Sequence, residues 1–206
     1  MTLTDYQPPL VAILRGLTPA EVPAVARLLF DAGWRLIEVP LNRPQALQCI
    51  AQLVAMAPAD ALVGGGTMLS AQDVDDVHAA GGRLMVAPNC DPAVIERGVQ
   101  RGMQCLPGVA TPTEALLALR SGAHALKLFP ADMVQPAGMK AMASILPPGT
   151  GLWPVGGITP QNMGAWRAAG AAGFGIGGSL YQPGKGLAEL ERSARAFMAA
   201  WQAGPA

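Results

Sequence analysis

Short apolar runs alternate with helix-start signals along this whole chain, at intervals of roughly 20 to 27 residues, and that rhythm leaves few folds open. The first run is "LVAILR". Behind it, "TPAE" offers Thr18 as a cap, Pro19 at the first helical position, where a missing N–H costs nothing, and Glu21 to close a capping box. That helix is expected to stop at "DAGW", with Gly33 in the left-handed conformation. The grammar recurs in "RLIEVPL" with a helix from about Pro44, "ALVGGGT" with "SAQD", "RLMVAP" with "DPAV", and "MQCLPG" with "TPTE". It continues in "HALKLFP" with a helix around Gly138 to Leu146, "GLWPVGG" with "TPQN", and "GFGIGG" with a helix from about Gly186 to Trp201. Eight strands alternating with eight helices predict an α/β fold, a single-domain (β/α)8 TIM barrel over residues 1–206. The competing architecture is an open doubly wound sheet, which binds ligands where its strand order reverses.

Composition narrows the function classes. The 206 residues carry a formal net charge of +0 and are 51% hydrophobic, enough for one large core. There is no basic stripe to gather phosphate backbones, and aromatics are too sparse for base stacking, so nucleic acid is not an expected partner. No apolar run reaches the ~20 residues of a membrane span, and "MTLTDYQPPL" lacks the regions of a signal peptide; a cytoplasmic protein is expected. Three scattered cysteines, Cys49, Cys90 and Cys105, suggest buried thiols rather than a disulfide framework. With only His78 and His124, a histidine-based metal site is hard to build, and no metal is expected.

In a barrel strand, side chains alternate between the interior and the surrounding helices, and the last interior positions open into the mouth. In "HALKLFP", Leu126 and Leu128 share one face and Lys127 takes the other. In "RLIEVPL", Ile37 and Val39 point outward and Glu38 inward, and Arg15 ends the first strand. Lys127 is one of three lysines, with Lys140 and Lys185. It either snorkels or pairs with Glu38 as a buried ion pair, or it is desolvated so that its neutral amine attacks a carbonyl and forms a Schiff base. Glu38 is a structural partner or a proton carrier; Arg15 grips a substrate carboxylate or sets the charge on Glu38. Glycines mark a second constellation. Gly156 and Gly157 follow strand seven, and Gly177, Gly178 and Ser179 follow strand eight, the loops where this fold commonly binds phosphate. Tight turns alone are the competing explanation. "VGGGTM" places Thr67 at the mouth and is not a Walker A loop, because no Gly-Lys-Ser/Thr follows.

Taken together, "VAILRGLTP", "IEVPLN", "VGGGTM", "MVAPN", "LPGVATPTEA", "ALKLFPA" and "WPVGGITPQN" resemble the class I 2-keto-3-deoxy-6-phosphonate (KDPG/KDPGal) aldolase family across almost the whole chain. The resemblance implies a homotrimeric (β/α)8 barrel that cleaves a phosphorylated 2-keto-3-deoxy sugar acid to pyruvate and glyceraldehyde 3-phosphate, with no cofactor beyond a covalent lysine imine. It implies Lys127 as the Schiff-base lysine and Glu38 as the general acid/base. Arg15, Thr67, Asn42, Pro88, Asn89 and Val155 would form the pyruvate and carboxylate end, and Gly156, Gly157, Gly177, Gly178 and Ser179 the phosphate site. The gluconate branch carries an arginine where Asn42 stands and a threonine where Val155 stands. This sequence is similar to the galactonate branch, so the 2-dehydro-3-deoxy-6-phosphogalactonate substrate is expected. A methyl in place of a hydroxyl beside the reacting carbon changes which C4 hydroxyl orientation fits. The alternatives are the gluconate epimer or 4-hydroxy-2-oxoglutarate as substrate, a phosphosugar isomerase or epimerase, a metal-dependent aldolase, and a non-catalytic phosphate-binding barrel.

Overall fold

A computed structural model describes residues 2–204. Nine short strands and eight α-helices alternate along the chain: β1 Leu10–Ile13, α1 Val22–Asp31, β2 Leu36–Pro40, α2 Ala46–Met56, β3 Leu62–Gly66, α3 Ala71–Ala79, β4 Leu84–Val86, α4 Pro92–Gln100, β5 Gln104–Leu106, β6 Gly108–Val109, α5 Pro112–Arg120, β7 Leu126–Leu128, α6 Ala131–Ala143, β8 Leu152–Pro154, α7 Met163–Ala168, β9 Phe174–Ile176 and α8 Leu187–Gln202. A 3-10 turn at Leu3–Asp5 precedes them. The extra strand arises because "MQCLPG" is split at Pro107, which has no N–H to keep the ladder regular. On either side of it, β5 pairs with β4 and β6 with β7.

All ladders are parallel, in a six-stranded section ordered β5-β4-β3-β2-β1-β9 and a three-stranded section β6-β7-β8. One seam between them is Pro107. Across the other, a single bridge joins Val155 to Gly175, with the Ala172 N–H donating to the Leu152 carbonyl at 2.9 Å. The expected (β/α)8 barrel is thus met in part: the parallel strands and eight helices form a curled sheet in two sections that do not join as one continuous closed ladder. Neighbours within each section follow chain order, with β9 beside β1. The reversal that an open doubly wound sheet requires does not occur.

The inner and outer faces separate as the alternation predicts. Leu10, Ala12, Ile37, Val39, Met85, Leu126, Leu128 and Phe174 pack outward with residues of the helices. Val11, Ile13, Leu36, Leu84, Val86, Leu106 and Trp153 form an inner cluster with Leu3 and Tyr6 of the amino-terminal turn. Burial of these apolar faces holds the sheet in its curl.

Side-chain capping explains three of the eight helix starts. Ser70 accepts from the Asp73 N–H, and Thr111 from the Glu114 N–H, each as half of a capping box; Asp91 accepts from the Ala93 N–H. Two boundaries differ from expectation. Thr18 does not cap α1: Glu21 reaches back to the Thr18 N–H and hydroxyl at 3.0 and 2.6 Å, making a separate turn, and the helix begins at Val22. The helix expected around Gly138 to Leu146 is α6, which starts at Ala131 and bends at Gln135 (φ 60, ψ 161), just before Pro136, whose ring disfavours a helical conformation at the preceding residue.

Candidate active site

Lys127 occupies the middle of β7, and Glu38 the middle of β2. Their strand neighbours point outward, so both side chains point into the apolar interior, only 6% and 2% exposed. Among the described residues neither has an ion-pair partner within 4.0 Å, so the buried-ion-pair alternative for Lys127 is not what the fold builds. The Lys127 ammonium nitrogen instead lies 4.7 Å from the centroid of the Phe129 ring. One carboxylate oxygen of Glu38 is buried without a hydrogen-bond partner.

Such surroundings disfavour charge on both groups. Burial pushes the Glu38 carboxyl up to about 7, against the opposing pull of Lys127 and Arg15. Burial also lowers the Lys127 ammonium from its ordinary value; Glu38 resists that shift and Arg15 adds to it. A lysine that gives up its proton readily can attack a carbonyl, and a carboxyl that titrates near neutrality can carry a proton both ways.

Space for the Glu38 carboxylate comes from β3. A Cβ on Gly66 would overlap a Glu38 carboxylate oxygen, so a side chain there would displace the acid. The next residue, Thr67, has φ 55, a left-handed conformation that a β-branched residue adopts at a cost of roughly 1–3 kcal/mol. Neither feature was visible in "VGGGTM", because each depends on a partner strand or a dihedral.

A cleft of about 300 Å³ collects Arg15, Val155, Gly156, Gly157, Gly177, Gly178 and Ser179 with Ile13, Phe129, Ile158, Thr159 and Gly175. The loops after β8 and β9 therefore face one another across it, with Arg15 alongside. Phe129 joins this cleft to Lys127. Sequence reasoning did not single out Phe129, although it stands two residues beyond Lys127 and so on the same side of the strand. Thr67 and Pro88 are half-buried and Asn42 and Asn89 exposed, at the carboxyl ends of β3, β4 and β2, on the same rim but outside the cleft.

The two glycine pairs differ physically. Gly156 (φ +109) and Gly157 (φ +65) hold conformations that other residues avoid. Gly177 and Gly178 need no such conformation, and a Cβ on either would meet nothing closer than Ile13 at 4.0 Å or the Gln182 amide at 3.3 Å. Among the described residues, the Gly178 and Ser179 N–H groups donate to no backbone carbonyl. The Ser179 hydroxyl donates to the Ile158 carbonyl at 2.7 Å, so the main-chain N–H is what Ser179 has to offer a ligand. No cluster of three or more histidine, cysteine, aspartate or glutamate side chains suited to a metal occurs among the described residues.

A family model described as KDPG and KHG aldolase matches residues 6–193. A "Probable 2-dehydro-3-deoxy-6-phosphogalactonate aldolase" of Rhizobium meliloti (strain 1021) is 43% identical over 201 residues, covering 98% of this chain and 95% of the relative. The 2-dehydro-3-deoxy-6-phosphogalactonate aldolase of Escherichia coli (strain K12) is 43% identical over 194 residues, covering 94% of this chain and 95% of that protein. A solved structure described as "Native KDPGal structure" superposes with a TM-score of 0.93 at 42% identity, over 95% of each chain.

The raised pKa of Glu38 has a measurable consequence for folding. A carboxyl whose folded pKa of about 7 lies above its unfolded value of 4.5 stabilises the fold below the unfolded value, and that stability is lost as pH rises through the folded one. At pH 8 the penalty approaches about 3 kcal/mol. Glu38→Gln is therefore expected to raise Tm more at pH 8 than at pH 5, as followed by thermal unfolding. An equal change at both pH values would show that Glu38 is not held protonated by its surroundings.

Proposed function

The chain belongs to the KDPG and KHG aldolase family and is a carbon–carbon lyase, and we propose that it cleaves 2-dehydro-3-deoxy-6-phosphogalactonate to pyruvate and D-glyceraldehyde 3-phosphate through an imine on Lys127. The observation that carries this reading is the buried Lys127 beside a Glu38 that titrates near neutrality. Residues 1–206 form one domain in this reading, supported by a family match over nearly all of it. The two sheet sections close as one eight-stranded barrel, supported by the Val155–Gly175 bridge and the continuity of β5 and β6 through Pro107.

Neutral Lys127 attacks the C2 ketone; the carbinolamine loses water, and the resulting iminium is the electron sink that uncatalysed C3–C4 cleavage lacks. Ionised Glu38 removes the C4 hydroxyl proton, the C3–C4 electrons pass into the iminium to form an enamine, and glyceraldehyde 3-phosphate departs. Glu38 then returns the proton to C3, and water releases pyruvate and regenerates the amine. Arg15 holds the carboxylate end, with Thr67, Asn42, Pro88 and Asn89 on the same rim. Gly156, Gly157, Gly177, Gly178 and Ser179 hold the phosphate; the open space at Gly177 and the Gly178 and Ser179 N–H groups that donate to no backbone carbonyl among the described residues support that assignment. Because the lysine supplies the sink, the reaction needs no metal or other cofactor. Val155 in the cleft wall and the names of the 43%-identical relatives favour the galactonate epimer over the gluconate one.

The same reading places the enzyme in the cytoplasm as a homotrimer. An apolar face on α6 supports the assembly, where Met133 is 77% exposed and nearby Ile145 50%. Mass measurement in solution should return three chains; a clean monomer would remove that part of the proposal.

Borohydride reduction in the presence of pyruvate should leave one pyruvyl adduct, mapped to Lys127. Lys127→Ala should give neither adduct nor turnover, and full cleavage by that variant would sink the mechanism. Glu38→Gln should still form the adduct but turn over roughly a hundredfold more slowly. In the parent enzyme, kcat/KM should fall as pH drops below about 7, where Glu38 becomes protonated and can no longer accept the C4 hydroxyl proton. The galactonate epimer should release pyruvate faster than the gluconate epimer; equal rates would show that Val155 does not select at C4.

A further inference from the structure

Lys185 is a second buried lysine, its side chain 8% exposed, in the segment between β9 and α8. Its ammonium turns back to donate to the Ser179 carbonyl at 3.3 Å, the Leu180 carbonyl at 2.8 Å and the Ser193 hydroxyl at 2.9 Å. An ammonium has three donors, so these bonds use its whole capacity. The nearest carboxylate, Glu189 at 3.8 Å, is 60% exposed, and a pair of that kind contributes little. Lys185 is therefore held by what it binds on the main chain rather than by an ion pair.

The segment it binds is the loop after β9. That loop turns at Gly177, whose carbonyl accepts from the Leu180 and Tyr181 N–H groups at 2.8 and 3.0 Å. The Ser179 hydroxyl fastens the other side of the loop to the Ile158 carbonyl, which belongs to the loop after β8. One line of hydrogen bonds thus runs from Ser193 on α8 through Lys185 and Ser179 to the opposite wall of the cleft. Lys185 itself does not line the cleft; it faces a separate hollow behind the loop. Without the ammonium, two carbonyls lose a donor, and the exposed bond from the Gln182 amide to the Gly178 carbonyl, at 3.0 Å, cannot replace a buried anchor.

We infer that Lys185 is a positioning residue for phosphate recognition, fixing the Gly177–Ser179 loop from behind without touching the substrate. This inference rests on the assignment of that loop to the phosphate in the proposed function. Misplacing donors by about 1 Å is enough to weaken a positioned contact severely, which is why a rigid backing matters.

The test is condensation of pyruvate with D-glyceraldehyde 3-phosphate or with unphosphorylated D-glyceraldehyde, by the wild type, Lys185→Met and Ser193→Ala. Methionine keeps an apolar stem in the buried channel and removes the charge, and the alanine variant removes only one of the ammonium's partners. KM for the phosphorylated aldehyde should rise roughly tenfold in Lys185→Met and less in Ser193→Ala. KM for glyceraldehyde, kcat and trapping of the pyruvate imine should stay within about threefold of wild type. A wild type with no preference for the phosphorylated aldehyde would overturn the phosphate assignment, and this inference with it. A wild type with that preference, and variants that keep it, would overturn the role of Lys185 alone. Equal rises for both aldehydes, or loss of imine trapping, would make Lys185 a general structural residue and also overturn the inference. Should Lys185→Met fail to fold, the selectivity of Ser193→Ala decides.

Discussion

Desolvation of two ionisable side chains is the constraint around which the rest of this molecule is arranged. Lys127 and Glu38 sit inside an otherwise apolar ring, close enough to influence one another and too far apart to form a salt bridge. A charge in that environment without a close partner costs several kcal/mol, and both groups respond by moving their proton affinities toward each other. The same cost that weakens the fold prepares an amine to be a nucleophile and a carboxyl to be a proton carrier. Stability is lost at these two positions and recovered in the outer layer, where strands and helices bury continuous apolar faces.

Backbone geometry protects that arrangement. Gly66 leaves the volume that the Glu38 carboxylate fills, and Thr67 beside it carries a strained dihedral at the end of the same strand. Around the cleft, Gly156 and Gly157 bend the chain through conformations closed to other residues, whereas Gly177 leaves open space and Gly178 is approached only by the Gln182 amide. Ser179 ties the two loops together through Ile158, and Lys185 braces the second loop against α8. The buried lysine and glutamate and the glycine cleft are thus supported by different parts of the fold, with Phe129 lining the cleft and lying against Lys127. In the proposed mechanism, a change in the loops would therefore alter recognition of a distant part of the substrate while leaving the amine chemistry intact.

Much of this is legible in the sequence. Alternation in "RLIEVPL" and "HALKLFP" put Glu38 and Lys127 on the inner face, since a strand turns successive side chains to opposite sides whatever surrounds it. Caps at Ser70, Asp91 and Thr111 were equally local, each needing only a hydroxyl or carboxylate at the right offset. Three boundaries depart from those local rules. Glu21 captured Thr18 for a separate turn, Pro107 divided one strand in two, and α6 began at Ala131, well before the glycine at which a helix was expected.

The sequence by itself thus determined the alternating βα order, the inward placement of the lysine and glutamate, and the position of the glycines after the last two strands. All three follow from local rules of period, capping and backbone freedom. Only the tertiary structure decided that Lys127 and Glu38 would not close into an ion pair, that Glu38 would titrate near 7, and that Gly66 would make room for it. It also decided that Ser179 would spend its hydroxyl on Ile158, and that a lysine from beyond the loop would hold that serine in place. These outcomes depend on distances and burial between strands far apart in the chain, and proton affinity and steric room are properties of such surroundings, which no single segment contains.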